Sequence, residues 1–288
     1  MRGRTASSIV CALALSVALV PDALAKREPI YTDPTRDALL VVNENTGVTL
    51  YARNETVLRH PASLTKMMTL YLVFERLRAR QITLQTPFII SRNAETQWPA
   101  KLHLRAGTSI SVADAIGAMA VYSANDAAVA AAENIAGTET HFAELMNAKA
   151  QAFGMTHTFF KNATGLPDPL QFTTASDLAI LARHLITDFP EYFHYFHDPY
   201  FTFRGRDIPS HDALLKTYSG ADGIKTGYTD ASGYNLVTSA SRNGTRLIGV
   251  VLGGISAERR DKQMEHLLDA GFALLRQKSS ATASIVTR

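Results

Sequence analysis

The strongest constraint on this chain is an apolar run from Leu64 to Leu77 with a lysine set at its start. The segment Met67-Met68-Thr69-Leu70-Tyr71-Leu72-Val73-Phe74 is apolar almost all round. A helix of that kind has no face to offer solvent, so it lies in the middle of a domain with other elements packed around it. It is entered through Pro61-Ala62-Ser63-Leu64-Thr65-Lys66 and is predicted to run to about Arg80, with Ser63 as N-cap at the positive end of the helix dipole. Lys66 follows three residues later and falls on the same face. Burial there strips solvent from the ammonium and lowers its pKa. A neutral amine within reach of a serine hydroxyl is a general base beside a nucleophile. Ser-x-x-Lys also recurs by chance in chains of this length, so the rest of the sequence must supply the other parts.

The first 25 residues stand apart from the remaining chain. Met1-Arg2-Gly3-Arg4 is basic, Ile9 to Val20 is apolar, and Ala23-Leu24-Ala25 has the small-x-small pattern of a cleavage site. Residues 1–25 therefore read as a secretory signal peptide, cleaved before Lys26. The apolar run is short for a spanning helix, and no later stretch is long and apolar enough to be one. Loss of Arg2, Arg4 and Asp22 takes the formal charge from +3 to +2, too near neutral for nucleic-acid binding. The one cysteine, Cys11, lies in the signal, so a mature chain has no disulfide, thiol nucleophile or cysteine metal site. His194 and His197 sit at helical spacing, but no HExxH-like zinc pattern occurs, and no metal or organic cofactor is expected. A chain of 288 residues with 46% apolar and 19% charged side chains can bury a sizeable core.

The other elements fall into strands at both ends and helices between. Ala38–Val42 and Val48–Tyr51 flank the turn chemistry of Asn43-Glu44-Asn45-Thr46-Gly47 and predict a β-hairpin. A short strand is expected near Phe88–Ser91. Ser111-Val112-Ala113-Asp114 has capping-box character and opens a helix to about Met119. Further helices are predicted over Ala127–Ala136, about Glu139–Phe153, and from Thr174 to about Ile186, with a loop over Lys161–Phe172. Tyr234–Ser241 and Arg246–Leu252, joined through Asn243-Gly244, give the strongest hairpin signal in the chain. Ala257–Leu275 reads as a closing helix, with Met264, Leu267, Leu268 and Phe272 at helical spacing. Residues 277–288 are expected to be a disordered tail. The order predicts an α+β domain over residues 26–276. The two hairpins would share one antiparallel sheet, the middle helices would form a second lobe, and the Ser63 helix would lie buried between them.

Three short motifs stand in order: Ser63-x-x-Lys66, Ser123-x-Asn125 and Lys225-Thr226-Gly227. Their flanks read Pro61-Ala62-Ser63-Leu64-Thr65-Lys66-Met67-Met68-Thr69, Tyr122-Ser123-Ala124-Asn125-Asp126-Ala127-Ala128 and Asp222-Gly223-Ile224-Lys225-Thr226-Gly227-Tyr228-Thr229. Two more stretches accompany them, Asn162-Ala163-Thr164-Gly165-Leu166 and Ser232-Gly233-Tyr234-Asn235-Leu236-Val237. On these residues the chain resembles the penicillin-binding proteins and serine β-lactamases, and most closely the low-molecular-mass D-alanyl-D-alanine carboxypeptidases. The resemblance covers roughly residues 30–276. Each motif alone is weak, whereas all three in order with these flanks are highly specific. The resemblance implies a β-lactamase/transpeptidase-like fold in an extracytoplasmic, periplasmic protein. It also implies a serine-type carboxypeptidase that removes the terminal D-alanine from peptidoglycan stem pentapeptides through an acyl-enzyme, and that β-lactams inhibit covalently.

Each motif residue has a chemical reason to be there. Lys66 accepts the Ser63 proton, Ser123 relays it toward the leaving amine, and Asn125 donates from its amide to a substrate carbonyl. Lys225 holds a positive charge that depresses the Lys66 pKa and attracts an anionic substrate. Thr226 offers a hydroxyl to a carboxylate, and Gly227 lets the strand approach the ligand closely. The resemblance further implies an oxyanion hole from the backbone N–H groups of Ser63 and Tyr228, such donors contributing about 3 kcal/mol each. It also implies an arginine before the last helix that holds the substrate carboxylate. Arg260 matches that position better than Arg259, by its distance from Leu267-Leu268 and Gly271-Phe272. Blander readings stand beside these: Ser123 and Asn125 suit helix caps, Lys225 suits a solvated strand, and Tyr228 suits simple packing.

Departures from the family also count. Many of its carboxypeptidases carry a second, β-rich domain and a C-terminal amphipathic helix. The sequence ends soon after Phe272–Leu275, so both are expected to be missing and no stable membrane anchor is expected. A class A β-lactamase would hold a glutamate in the middle loop, and Lys161–Phe172 has none. Two alternatives share the motifs: a D,D-endopeptidase cutting cross-links, and a catalytically silent β-lactam-sensing or wall-binding protein.

Overall fold

The hairpins at the two ends of the sequence meet in one sheet, and this meeting places the nucleophile. The computed structural model describes residues 36–286. The expected signal peptide, Cys11 and most of the lead-in lie outside the described residues. β1 (Ala38–Asn43) and β2 (Thr49–Arg53) form the first hairpin. β7 (Ala221–Thr229), β8 (Gly233–Arg242) and β9 (Thr245–Gly254) form the late strands. The strand order is β2-β1-β9-β8-β7, with every pairing antiparallel. β1 bridges the two ends of the chain by pairing with β9, Leu40 opposite Val250. The β8–β9 turn is the predicted one: Asn243 and Gly244 have φ of 51° and 75°, the double left-handed conformation that matches strand twist.

The inner strands of the sheet are buried on both faces. Along β1, Leu39 and Val41 join Leu236, Leu247 and Val251 under the closing helix α8. Leu40 and Val42 point the other way, into the main core with the helical lobe. That two-sided burial explains why β1 and β9 read as continuous apolar runs rather than alternating ones. α8 covers one face through Met264, Leu268 and Phe272. Its backbone is helical over Ala257–Val286, continuing past Leu275 through the segment that the sequence suggested would be a disordered tail.

The other face carries the lobe that contains the apolar helix, α1 (Lys66–Arg78). Every residue from Met67 to Phe74 is buried, as an all-round apolar helix requires. Around it lie α2 (Arg92–Thr96), α3 (Val112–Gly117), α4 (Asn125–Ala136), α5 (Glu139–Ala152) and α6 (Ala175–Asp188). Capping follows the sequence: Ser111, Thr138 and Thr174 each accept the N–H three residues on. A one-turn helix, α7 (Leu214–Thr217), precedes β7.

The structure departs from the sequence reading in four further places. Ser63 is not the N-cap of α1. It lies inside a 3₁₀ turn, Ala62–Thr65, with no side-chain cap, and α1 begins at Lys66. Between the helix predicted to about Met119 and the one predicted from Ala127 lies a π-helical turn, Ala118–Tyr122, that ends at Ser123 in the left-handed conformation. The strand expected near Phe88 is β3 (Pro87–Ile89), whose partner β4 (Ser109–Ser111) has too few residues to show a period. The aromatic-rich stretch after Tyr192 ends in a second ribbon, β5 (Tyr200–Phe203) with β6 (Arg206–Pro209). Among the described residues no helix is long and apolar enough to cross a membrane.

Candidate active site

A cleft of about 350 Å³ opens where the start of α1, the Ser123 turn and β7 converge. Seven of the site residues singled out from sequence line it: Ser63, Ser123, Asn125, Thr226, Gly227, Tyr228 and Arg260. The 3₁₀ turn has a direct consequence, since side chains at i and i+3 eclipse in such a turn. Ser63 Oγ and Lys66 Nζ are accordingly 3.1 Å apart. The turn is fixed from two sides. Asn235 on β8 donates its amide to the carbonyls of His60 and Pro61, at 3.0 and 3.2 Å. Gly227 on β7 lies so close that a Cβ there would stand 3.1 Å from both Pro61 O and Ser63 N.

Lys66 is fully buried. Its Nζ donates to Asn125 Oδ1 at 2.7 Å and to the Thr164 carbonyl at 2.6 Å. Burial first, and then the charge of Lys225, hold its pKa well below the ordinary lysine value; Asp126 and Glu139 pull weakly the other way. A neutral amine has two N–H bonds and one lone pair. In that form the two carbonyl oxygens would take the two N–H bonds, and the lone pair would face the Ser63 hydroxyl. The carbonyl of Thr164 is presented by a loop that Asn162 shapes, its Oδ1 accepting the N–H of Gly165 at 2.8 Å. Gly165 has φ of 86°, and a Cβ there would overlap the Ala62 carbonyl oxygen.

Ser123 and Asn125 do not cap α4; its N-cap is Ala124, with no side-chain bond. Asn125 faces inward instead. Its Nδ2 donates to the carbonyls of Trp98 and Pro99 at 2.9 and 3.2 Å, while Oδ1 holds Lys66. Both amide hydrogens meet backbone carbonyls, while Oδ1 aims Lys66. Asp126 ties down the same loop by accepting the N–H groups of Leu102 and Leu104 at 3.1 and 3.0 Å. Ser123, at φ 67°, has a buried Oγ with no hydrogen-bond partner among the described residues.

The opposite wall is the sheet. Lys225 is 2% exposed, which excludes the solvated-strand reading. Its Nζ donates to the Thr226 carbonyl at 3.0 Å. Burial lowers its pKa to about 7, with Asp212 opposing the shift and Arg260 adding to it. Asp212 is itself buried, and its carboxyl is pushed up to about 6 by loss of solvent, Arg260 opposing. Arg260 points inward: Nε and Nη2 donate to Asp261 Oδ1 at 2.9 and 2.7 Å, and Nη1 donates to the Asn235 carbonyl. The Tyr228 side chain is half exposed and donates its hydroxyl to Asp230. Sequence reasoning missed His211, which lines the cleft, and the Asp212 beside it. It also left Thr164, Asn162 and Asn235 without a role, although the stretches that contain them were already in view.

A hydroxyl against the lone pair of a buried amine, facing a second buried lysine on an edge strand, is the layout of an active-serine acyl-transfer site. A family model described as D-alanyl-D-alanine carboxypeptidase matches residues 25–256, and the chain belongs to that family. The chain is 39% identical to D-alanyl-D-alanine carboxypeptidase DacA of Haemophilus influenzae, over 83% of this chain and 62% of that one. It therefore spans under two thirds of that curated relative's length. Among solved structures it is similar to penicillin binding protein 5 from Haemophilus influenzae, with a TM-score of 0.80 and 38% identity over 84% of this chain and 72% of the other. It is likewise similar to penicillin-binding protein D2 from Listeria monocytogenes solved with cefotaxime bound, with a TM-score of 0.76 and 32% identity over 85% of this chain and 100% of the other. The fold is thus the penicillin-binding, β-lactamase-like α+β fold that the motifs implied.

Proposed function

We propose that this chain is a serine-type D-Ala-D-Ala carboxypeptidase acting on peptidoglycan stem pentapeptides in an extracytoplasmic compartment. The observation that carries the reading is the Lys66 amine, desolvated, held by two carbonyl oxygens and 3.1 Å from Ser63 Oγ. Ser63 Oγ attacks the carbonyl carbon between the last two D-alanines, and its proton passes to Lys66 Nζ. The backbone N–H groups of Ser63 and Tyr228 receive the oxyanion. The C–N bond then breaks, the leaving D-alanine amine takes a proton through Ser123, and water later cleaves the Ser63 ester to release the tetrapeptide. Lys225, Thr226 and Arg260 receive the terminal carboxylate. Its negative charge beside Lys225 favours the protonated form of that lysine.

β-Lactams would acylate the same hydroxyl. Among the described residues that line the cleft, none carries a carboxylate to activate a deacylating water. That supports a persistent penicillin acyl-enzyme rather than β-lactamase turnover. The test is labelling with a fluorescent penicillin, with the label mapped by mass spectrometry of tryptic peptides and Ser63→Ala as control, alongside release of D-alanine from a stem pentapeptide. Label on the Ser63 peptide together with D-alanine release is the expected result. A folded protein that takes no label and releases no D-alanine would overturn the proposal.

A further inference from the structure

The Thr164 carbonyl that holds Lys66 is itself held, and one of its anchors lies outside the cleft. Asn162 Oδ1 accepts the N–H groups of Thr164 and Gly165 at 3.2 and 2.8 Å. Thr69 Oγ1 donates to the Ala163 carbonyl at 2.7 Å. Thr69 stands three residues after Lys66, so one face of α1 meets two successive carbonyls of the loop. The amide that remains, Ala163 N–H, donates to Glu139 Oε1 at 3.0 Å. Glu139 is the first residue of α5. About two turns further along that helix, Asn147 exchanges hydrogen bonds with the backbone of Phe160, at 2.9 and 2.7 Å. α5 thus grips the segment from Phe160 to Ala163 at both ends, and the Thr164 carbonyl follows directly on the second grip.

A carboxylate in the first turn of a helix has an ordinary reason to be there, the helix dipole. Glu139 does more than that reason asks. Its side chain is half-buried, and loss of solvent pushes its carboxyl up, the Ala163 N–H opposing and Glu133 on α4 adding to the rise. Its charge also reaches Lys66, which it attracts weakly across the loop. The other charged groups that face Lys66 are Lys225 on β7, which repels it, and Asp126 on α4, which attracts it. His211, before α7, feels the lysine from the far side of the cleft. Asp126 is bound to the loop over Asn125, so it cannot be changed without moving that loop. Glu139 is bound to the Lys66 loop through one amide only. We propose that Glu139 is a positioning residue for the general base: through the Ala163 peptide it fixes the carbonyl that aims Lys66, and it supplies that lysine with a distant negative charge. Its charge favours the protonated amine, so it delays the loss of the Lys66 proton as pH rises. The proposal rests on the acylation chemistry above.

The experiment measures penicillin acylation against pH for the unmutated protein, Glu139→Gln and Glu139→Ala, with urea midpoints alongside. Glu139→Gln keeps an oxygen for the Ala163 N–H and removes the charge. The rising limb should move to lower pH, with acylation about threefold faster at about pH 6 and the maximum near neutral pH unchanged. Glu139→Ala removes the anchor as well, and should lower the maximum about tenfold by letting the Thr164 carbonyl drift. A role confined to the helix dipole would lower the urea midpoint in both variants and leave the rising limb where it was. A rising limb that stays in place in Glu139→Gln, or a maximum in Glu139→Ala equal to that of the unmutated protein, overturns the proposal and leaves the carboxypeptidase reading standing. If Glu139→Ala does not fold, the rising limb of Glu139→Gln decides alone. An unmutated protein that is not acylated at any pH overturns that reading, and the role of Glu139 with it.

Discussion

The helical wall of the cleft and the sheet wall each bury a lysine, and they treat it in opposite ways. Lys66 has three oxygen partners within 3.1 Å and, among the described residues, no carboxylate in contact. Lys225 has one hydrogen bond, to the next residue's carbonyl, and a buried carboxylate, Asp212, in the same wall. The first lysine is fixed by geometry, its pKa held down by burial, and aimed. The second is balanced by charge and stands near the edge of its protonation range. The comparison teaches that a general base needs its lone pair placed, whereas an anion-binding cation needs only its charge kept.

Replacing each lysine sharpens this contrast. Lys66→Ala removes the proton acceptor and should lower the second-order rate of penicillin acylation by about 10³-fold. Lys225→Ala should cost less, about 10²-fold, because it removes a charge and not a proton acceptor. Stopped-flow acylation of the two variants decides the matter, and equal losses would break the distinction. Gly165→Ala tests the geometric side alone. At φ 86° with the Ala62 carbonyl in its path, the new Cβ displaces the nucleophile turn. The expected outcome is a stability loss of about 2 kcal/mol in urea unfolding and an acylation rate lower by about 10²-fold.

The pH profile tests the charge side. Acylation should rise with pH as Lys66 loses its proton, and fall again above about 7 as Lys225 loses its own. Lys225→Arg stays charged and should remove the falling limb. Asp212→Asn removes the charge that holds the Lys225 pKa up, so the falling limb should move to lower pH. The sign for stability follows from the same shift. The unfolded chain keeps lysine protons that the folded chain has shed, so unfolding free energy rises from pH 7 to about pH 10. Urea midpoints at fixed pH values measure it. The smallest effect is expected for Tyr228→Phe, under about twofold in acylation, because the residue's contribution is its backbone N–H and the hydroxyl meets only Asp230.

The same contrast explains what could be read from sequence. The site's reactive residues stood in short motifs, because a 3₁₀ turn and an edge strand each fix neighbours locally. The sheet was legible because the Asn243-Gly244 turn and the apolar strands agree with one another. What stayed hidden was long-range. Asn125 looked like a cap or a substrate donor, and only the Trp98–Pro99 loop folded over it shows where its amide points. His211 and Asp212 belong to no local pattern, and β5–β6 bring them to the cleft. The π turn before Ser123 follows no simple period, so only an interruption between two helices was legible there.

Lys66 is held by residues 59 and 98 positions away along the chain, and its turn by Asn235, 175 positions from His60. Until those segments meet, the amine is an ordinary solvated lysine that stays protonated at neutral pH. Contacts of such separation carry a large loop-closure cost and slow folding. Reactivity is therefore a property of the finished molecule. An incompletely folded chain is chemically inert toward amides, and the return of acylation during refolding marks the joining of distant segments rather than the formation of any one helix.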